Sequence, residues 1–132
     1  MSLQGKVAIV TGASRGIGKA IAQQLASQGA IVVGTATTQA GAEAISQYLA
    51  EYNGAGLALD VTQADAIDKF LAQVQERFGT PLILVNNAGI TKDGLLLRMK
   101  DSDWDAVINT NLTAIFRLSK ACLKGMGKAR WG

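Results

Sequence analysis

A glycine-rich turn is the first feature of this sequence that could do chemistry. Thr11 to Gly18 reads Thr-Gly-Ala-Ser-Arg-Gly-Ile-Gly and lies between an apolar run typical of a strand and a pattern typical of a helix. Glycine lets the backbone approach a phosphate closely, and the free N–H groups and dipole at a helix start favour an anion. We therefore expect Gly12 and Gly16 to approach a pyrophosphate, and Gly18 to let the helix pack closely on the sheet. A purely structural turn is the alternative, since the spacing differs from the G-x-G-x-x-G fingerprint.

A nucleoside triphosphatase loop is a second alternative. Gly18 and Lys19 resemble the end of a Walker A motif, and Leu57 to Asp60 could form a Walker B strand. However, Ala20 lacks the hydroxyl that holds magnesium, and Ala13 stands where the first glycine must fall. The sequence therefore disfavours this type of site.

The end of the second predicted strand indicates which dinucleotide would bind. An NAD site has an acidic residue there for the ribose 2′-hydroxyl, whereas this chain has Thr35 to Thr38, and the nearest acid is Glu43. Arg15 projects from the glycine turn. A carboxylate would repel a 2′-phosphate, but hydroxyls and an arginine would bind it. We therefore expect the cofactor to be NADP(H). The alternative is that Arg15 is merely a surface cation.

The composition of this 132-residue chain excludes several kinds of active site and favours some binding partners over others. It contains no histidine, which excludes from it a Ser-His-Asp triad, a histidine general base and a histidine-ligated zinc site. Cys122 is its single cysteine and forms no internal disulfide. The net charge is +3, and residues 116–132 contain only basic charges. Because the chain has no recognisable nucleic-acid-binding motif, this positive charge favours an acidic protein or a phosphorylated ligand over nucleic acid as the binding partner. Because there is no long apolar run and no signal peptide, we expect no membrane span and a cytoplasmic location.

The periodicity predicts an α/β chain, with a Rossmann-like, doubly wound parallel sheet and one domain over residues 1–132. We expect strands at 6–11, 31–36, 56–60 and 82–86, each followed by a helix. Thr62 with Asp65, and Ser102 with Asp105, are expected to cap the third and fourth helices. The predicted buried helix faces are Ile17, Ile21 and Leu25; Ile45, Tyr48, Leu49 and Tyr52; Ile67, Phe70, Leu71, Val74 and Phe78; and Trp104, Val107, Ile108, Leu112, Ile115 and Cys122.

Two motifs together resemble the short-chain dehydrogenase/reductase family. They are the turn from Thr11 to Gly18 and the run Asn86-Asn87-Ala88-Gly89 after the fourth strand. The segments Gly34 to Thr37, Ile90 to Asp93 and Leu96 to Lys100 further resemble the bacterial 3-oxoacyl-[acyl-carrier-protein] reductases within that family. The resemblance covers the whole chain but only about the first half of the family's usual length, so later strands of the sheet are absent here.

The resemblance implies roles for individual residues. Asn111 matches the asparagine of the family's catalytic tetrad, and a buried amide satisfied by the backbone is the alternative. Asn111 lies on the predicted apolar stripe, so its side-chain amide must find hydrogen-bond partners. Burying the amide without them would lower the stability of the fold by about 1–3 kcal/mol. Arg130 matches a basic position that docks acyl carrier protein, and an exposed cation is the alternative. Leu82 departs from the family, which usually has Asp nearby, and we expect altered packing near the adenine pocket. The implied cofactor-binding residues are Gly12, Ser14, Arg15, Gly16, Ile17 and Gly18 for the phosphates, Thr37 near the 2′-phosphate, Asp60 and Val61 for adenine, and Asn87, Ala88 and Gly89 for the ribose.

The family's proton donor is not in this chain. The chemistry needs a tyrosine with a lysine four residues later that lowers its pKa, but Tyr48 is followed at that spacing by Tyr52, and Tyr52 by Gly56. Both tyrosines are explained by core packing. We expect an NADPH-dependent reductase of 3-oxoacyl groups on acyl carrier protein, tetrameric through the long fourth helix. This chain would supply its cofactor-binding half and be inactive alone. The alternative is a stand-alone dinucleotide-binding or interaction module without catalysis.

Overall fold

Four parallel strands form the centre of the molecule. A computed structural model describes residues 3–89 and 95–132. Its strands are β1 (Val7–Val10), β2 (Ile31–Ala36), β3 (Ala55–Ala58) and β4 (Pro81–Val85). They lie in the order β3-β2-β1-β4, and every pairing is parallel. The expected Rossmann-like α/β sheet is confirmed, with each strand within two residues of its predicted bounds.

Helices follow each strand. They are α1 (Gly16–Ser27), α2 (Gln39–Leu49), α3 (Ala64–Arg77), α4 (Asp101–Ile108) and α5 (Ala114–Ala129). Short 3₁₀ turns span Ala50–Tyr52 and Leu96–Arg98, and a π-helical turn, Asn109–Thr113, joins α4 to α5. Within the two described ranges, none of these helices has the length and apolar character needed to cross a membrane.

The sheet is covered on both faces. On one face Ile9 and Val33 pack with α3 and α5, and on the other Val10 and Val32 pack with α1 and α2. All four residues of β1 are at most 4% exposed, because parallel strands covered on both sides are apolar throughout. This is why the run from Val7 to Val10 shows no alternation of polar and apolar residues.

The predicted buried face of α1 is confirmed only in part. Ile21 and Leu25 are half-buried and pack against the core, but Ile17 is 73% exposed, and the fully buried positions are Gly18, Ala22 and Ala26. A Cβ on Gly18 would collide with the carbonyl oxygen of Gly12, so the helix lies too close to the strand ends for large side chains. Small residues therefore face the sheet here.

The two predicted helix caps are also wrong. The backbone N–H and hydroxyl of Thr62 donate to the same Asp60 carboxylate oxygen, at 2.9 and 2.5 Å, so Thr62 closes a turn rather than capping α3. Ser102 lies inside α4, whose first turn is closed by the Lys100 N–H donating to the Asp103 carboxylate at 3.3 Å. Asp, Ser and Thr stabilise turns and caps by the same kind of bond, so spacing alone does not separate them.

The predicted single long helix is interrupted, which changes the face that it buries. Ala114, Leu118 and Cys122 are buried, whereas Leu112 is 61% exposed and Ile115 41%. The π turn adds a residue to the helical repeat and so rotates the positions that meet the sheet. Trp104 is 59% exposed, and no residue of α4 is fully buried.

Candidate functional site

The candidate site lies where the chain leaves β1 and β4 in opposite directions. After β1 the chain forms α1 on one face of the sheet, and after β4 it reaches α5 on the other. Such a switch point opens a crevice at the carboxyl ends of the strands, the usual ligand position in open α/β sheets. A cleft of about 210 Å³ is found there. It is lined by Gly12, Thr35, Ala36, Thr37, Leu59, Asp60, Val61, Thr62, Ala88, Gly89 and Thr110.

The glycine turn forms one wall of this cleft. Gly12 and Gly16 have φ angles of +64° and +60°, in the left-handed region that glycine adopts without strain. The Gly12 N–H donates to the Thr35 hydroxyl at 3.3 Å, and the Ala13 N–H donates to the Thr35 carbonyl at 2.9 Å. β2 therefore holds the turn in place, and α1 begins directly after it.

The run after β4 forms the opposite wall and is bonded to the turn. The N–H groups of Asn87 and Ala88 both donate to the Thr11 hydroxyl, at 3.0 and 2.9 Å. The Asn87 side-chain amide donates to the Gly12 carbonyl at 3.0 Å. A Cβ on Gly12 would lie 3.0 Å from the Ala88 Cα, so the two walls are in close contact. The two motifs that the sequence singled out are thus brought together.

Asn111 lies at the edge of the same cleft, in the π turn. A Cβ on Gly89 would come within 2.7 Å of the Asn111 Oδ1, so this amide lies against the backbone of Gly89. Its neighbour Thr110 lines the cleft. π turns are frequent at functional sites because the inserted residue can be presented away from the helix stripe. The Asn111 side chain is half-buried beside Gly89 rather than on a continuous apolar face.

Asp60 and Val61 close the cleft at the end of β3. Val61 is buried and Asp60 is exposed. Hydrogen bonds from the Thr62 side chain and backbone lower the pKa of the Asp60 carboxyl below its usual value. The cleft therefore contains an oriented carboxylate that can only accept hydrogen bonds at neutral pH.

Of the six predicted phosphate ligands, Gly12 lines the cleft and the other five lie at the turn outside its lining. Ser14 is half-buried, Gly18 is buried, and Arg15, Gly16 and Ile17 are exposed around the start of α1. Arg15 is the residue directly before α1 and has an extended backbone, with φ −161°. Thr37 is exposed and lines the cleft from the end of β2. Thr37 therefore places a hydroxyl at the end of β2, where the sequence predicts a 2′-phosphate, and Arg15 carries its charge at the glycine turn.

Two residues from the sequence analysis lie away from this site. Arg130 ends α5, roughly 28 Å from Asn111 by the rise of a helix. Leu82, near the start of β4, lines a groove with Leu123 and Trp131 and not the cleft, and the expected change in packing beside the adenine pocket stays a prediction. The segment Ile90 to Asp93 lies outside the described residues.

Two contributors to the site were missed in the sequence. Thr11 is 1% exposed and bonds both walls, but its partners lie 76 and 77 residues away in the chain. The Tyr48 hydroxyl donates to the Ala13 carbonyl at 2.6 Å, so this tyrosine does more than pack in the core. Nothing in local spacing indicates either contact.

Known proteins with similar sequences show the family to which this chain belongs. The family model for short chain dehydrogenases matches residues 6–132. The chain is 59% identical to a 3-oxoacyl-[acyl-carrier-protein] reductase of Pseudomonas aeruginosa, covering 100% of this chain and 54% of that protein. It is 60% identical to the Vibrio cholerae protein of that name and 56% identical to the one from Escherichia coli, with the same coverage. The chain therefore spans about half the length of the curated relatives it matches.

Proposed function

This chain belongs to the short chain dehydrogenase family, and we propose that it is the NADP(H)-binding portion of a reductase that acts on 3-oxoacyl groups carried by acyl carrier protein. Residues 1–132 would then be part of a single reductase domain. The observation that carries the proposal is the pair of hydrogen bonds from Asn87 and Ala88 to Thr11, which join the glycine turn to the run after β4. The names of the relatives supply the proposed substrate.

The residues present fit a dinucleotide. A Cβ on Gly12 would press against Ala88, so only glycine leaves this wall open to a pyrophosphate beside the start of α1. The Asp60 carboxylate suits an amino group such as that of adenine, with buried Val61 beneath it. In the proposal, Gly12 to Gly18 hold the phosphates, and Asn87, Ala88 and Gly89 hold the ribose. When bound, NADPH would supply the hydride for reduction of the ketone.

The choice of NADPH rests on charge at the end of β2. Thr37 provides a hydroxyl in the cleft, and Arg15 provides a cation at the adjoining turn. No carboxylate occupies residues 35–38, where one would repel a 2′-phosphate. Arg15 and Thr37 are therefore the proposed 2′-phosphate ligands.

The proton needed by the ketone would come from residues outside this chain. None of its 132 residues forms a tyrosine–lysine pair at a spacing of four, and Tyr48 and Tyr52 lie in or beside α2. Asn111, against Gly89 at the edge of the cleft, is the proposed catalytic residue that this chain contributes. The chain alone is expected to bind NADPH without reducing a substrate.

Arg130 remains the proposed contact for acyl carrier protein. Its distance along α5 from Asn111 means that it would dock the carrier at a point away from this chain's own cleft. In the tetramer that the family resemblance implies, the exposed apolar side chains of α5 would face another copy. Phe116 and Leu123 are 63% and 64% exposed.

Replacing Arg15 tests the cofactor. Arg15→Ala should raise the Kd for NADPH about tenfold or more, because a hydrogen bond to a charged group is worth about 1.5–3 kcal/mol. The Kd for NADH should change less than twofold. Both are measured by fluorescence titration of the 132-residue chain. Arg77→Ala, at the far end of α3, is the control and should change neither. Equal losses for NADPH and NADH in Arg15→Ala would refute the assignment.

A chimera tests the reaction. Residues 1–132 are joined to the part of the Pseudomonas aeruginosa relative that this chain does not cover. The chimera should oxidise NADPH with a 3-oxoacyl-[acyl-carrier-protein], while the 132-residue chain alone should not. In the chimera, Asn111→Ala should lower kcat about a hundredfold, the lower end of what assisted proton transfer contributes, because the family resemblance implies that this amide helps to hold a water of the proton relay. Asn109→Ala, exposed in the same π turn, is the matched control. Reduction by the chain alone, or an active Asn111→Ala chimera, would contradict the proposal.

A further inference from the structure

Tyr48 connects α2 to the glycine turn. Its hydroxyl donates to the carbonyl of Ala13 at 2.6 Å. The Lys19 ammonium lies 5.3 Å from the centre of the Tyr48 ring, so the same side chain also contacts the first turns of α1. Tyr48 therefore touches the chain on both sides of the residues that would bind phosphate.

The rest of the structure holds Ala13 in a single position. Its N–H donates to the Thr35 carbonyl at 2.9 Å, and its side chain is fully buried. A Cβ on Gly34 would lie 2.9 Å from the Ala13 Cβ, so the glycine in β2 makes room for it. With the N–H and the Cβ of Ala13 fixed from β2, the remaining freedom is rotation of the peptide that follows.

Tyr48 fixes that peptide. In a planar trans peptide the carbonyl of Ala13 and the N–H of Ser14 point in opposite directions. Holding the carbonyl towards α2 therefore holds the Ser14 N–H away from α2. It also keeps a carbonyl oxygen, which would repel an anion, from turning towards the phosphate position.

We propose that Tyr48 is a positioning residue for the dinucleotide, an inference that rests on the proposed function. Through its hydrogen bond to the Ala13 carbonyl, Tyr48 directs the Ser14 N–H towards the phosphates of the cofactor. Ile45 and Leu49 on the same helix are fully buried, which anchors Tyr48 relative to the sheet. Burial raises the pKa of the Tyr48 hydroxyl to about 12, so it remains a donor throughout the neutral range.

Tyr48→Phe isolates this hydrogen bond because it removes one oxygen and keeps the ring. Tyr52→Phe is the matched control, since Tyr52 is 36% exposed at the end of the 3₁₀ turn. Three quantities are measured for each 132-residue variant: the Kd for NADPH, the hydrogen-exchange rates of the Ser14 and Arg15 amides without cofactor, and the melting temperature. Only the first two report on positioning.

We expect Tyr48→Phe to raise the Kd about three- to tenfold, the loss that one hydrogen bond produces. Exchange at Ser14 should become faster, and Tyr52→Phe should change neither quantity. A Tyr48→Phe Kd within twofold of wild type, even with a lower melting temperature, overturns the positioning role and leaves the proposed function standing. An equal rise in Tyr52→Phe also overturns it. If the wild type binds NADH but not NADPH, the choice of cofactor is refuted. The Kd values of Tyr48→Phe and Tyr52→Phe are then compared for NADH. Failure of the wild type to bind either dinucleotide refutes both proposals.

Discussion

The hydroxyl of Thr11 joins both walls of the cleft through three hydrogen bonds. It accepts from the N–H groups of Asn87 and Ala88 and donates to the Val85 carbonyl at 3.4 Å. A hydroxyl can do this because it has one hydrogen and two lone pairs. Valine would match its shape but would leave two N–H groups without an acceptor in a region where Thr11 is 1% exposed.

The buried thiol of Cys122 should make the free energy of unfolding depend on pH. Burial among the residues under α5 raises the pKa of its thiol from 9.0 to about 11. The unfolded chain therefore loses this proton at a lower pH than the folded chain does. Its contribution to stability is complete below pH 9 and is lost as pH rises towards 11. The free energy of unfolding in urea should fall more between pH 8 and pH 10 in the wild type than in Cys122→Ala.

The comparison of wild type with Cys122→Ala removes the contributions of the other titrating groups to the pH slope, because both proteins contain those groups. Tyr48, with its pKa raised to about 12, contributes mainly above pH 10, so the measurement stops there. A thiol reagent should modify native Cys122 only as fast as the chain unfolds, because the side chain is buried. Identical slopes in wild type and Cys122→Ala would show that the thiol does not titrate across this range.

At the scale of elements, type and order could be predicted, but the orientation of some helices could not. All four strands were predicted because short apolar runs bounded by turn residues are distinctive. On α1, Ile17 was wrongly assigned to the buried face, because Ile17 and Gly18 are adjacent and only the close approach of the strand ends selects the glycine. The π turn was missed because the sequence predicted one continuous helix across residues 109–113.

The close approach of α1 predicts a contrast between two helical glycines. Gly18→Ala should destabilise the fold by about 1–3 kcal/mol, a typical cost of overpacking, because its Cβ would meet the Gly12 carbonyl and the Asn87 amide. It should also weaken NADPH binding, since Gly12 must move. Urea unfolding and cofactor titration measure the two effects.

Gly127→Ala in α5 is the matched control. A Cβ there meets nothing within 4 Å, and alanine is favoured over glycine in a helix by about 1 kcal/mol. This variant should therefore be neutral or more stable, with unchanged cofactor binding. Equal stability of both alanine variants would be inconsistent with the close contact between α1 and the turn.

At the scale of the whole molecule, one side of the sheet carries uncovered apolar surface. β4 is the outer strand beside β1, and among the described residues no further strand pairs with it. A groove of about 320 Å³ lies along it, lined by Leu82, Leu123, Met126 and Trp131 among others. Unpaired strand edges and contiguous apolar patches promote association.

We therefore expect the 132-residue chain to self-associate in solution through this side. Leu123→Lys should shift it towards monomers without lowering the melting temperature, since Leu123 is 64% exposed. Leu97→Lys is the control, because Leu97 is 98% exposed in the 3₁₀ turn and lies outside the groove. Sedimentation velocity over a range of concentrations measures the effect. A wild-type chain that is monomeric at every concentration would exclude this association.

The pairing of β1 with β4 also sets a time order during synthesis. The ribosome releases the chain from its amino end, so the glycine turn emerges long before Asn87. Until residues 81–88 have left the exit tunnel, Thr11 has none of the partners that join the two walls. A nascent chain that stops before Asn87 therefore displays the glycine turn without a cleft, and the proposed affinity for a dinucleotide would arise abruptly once the fourth strand docks.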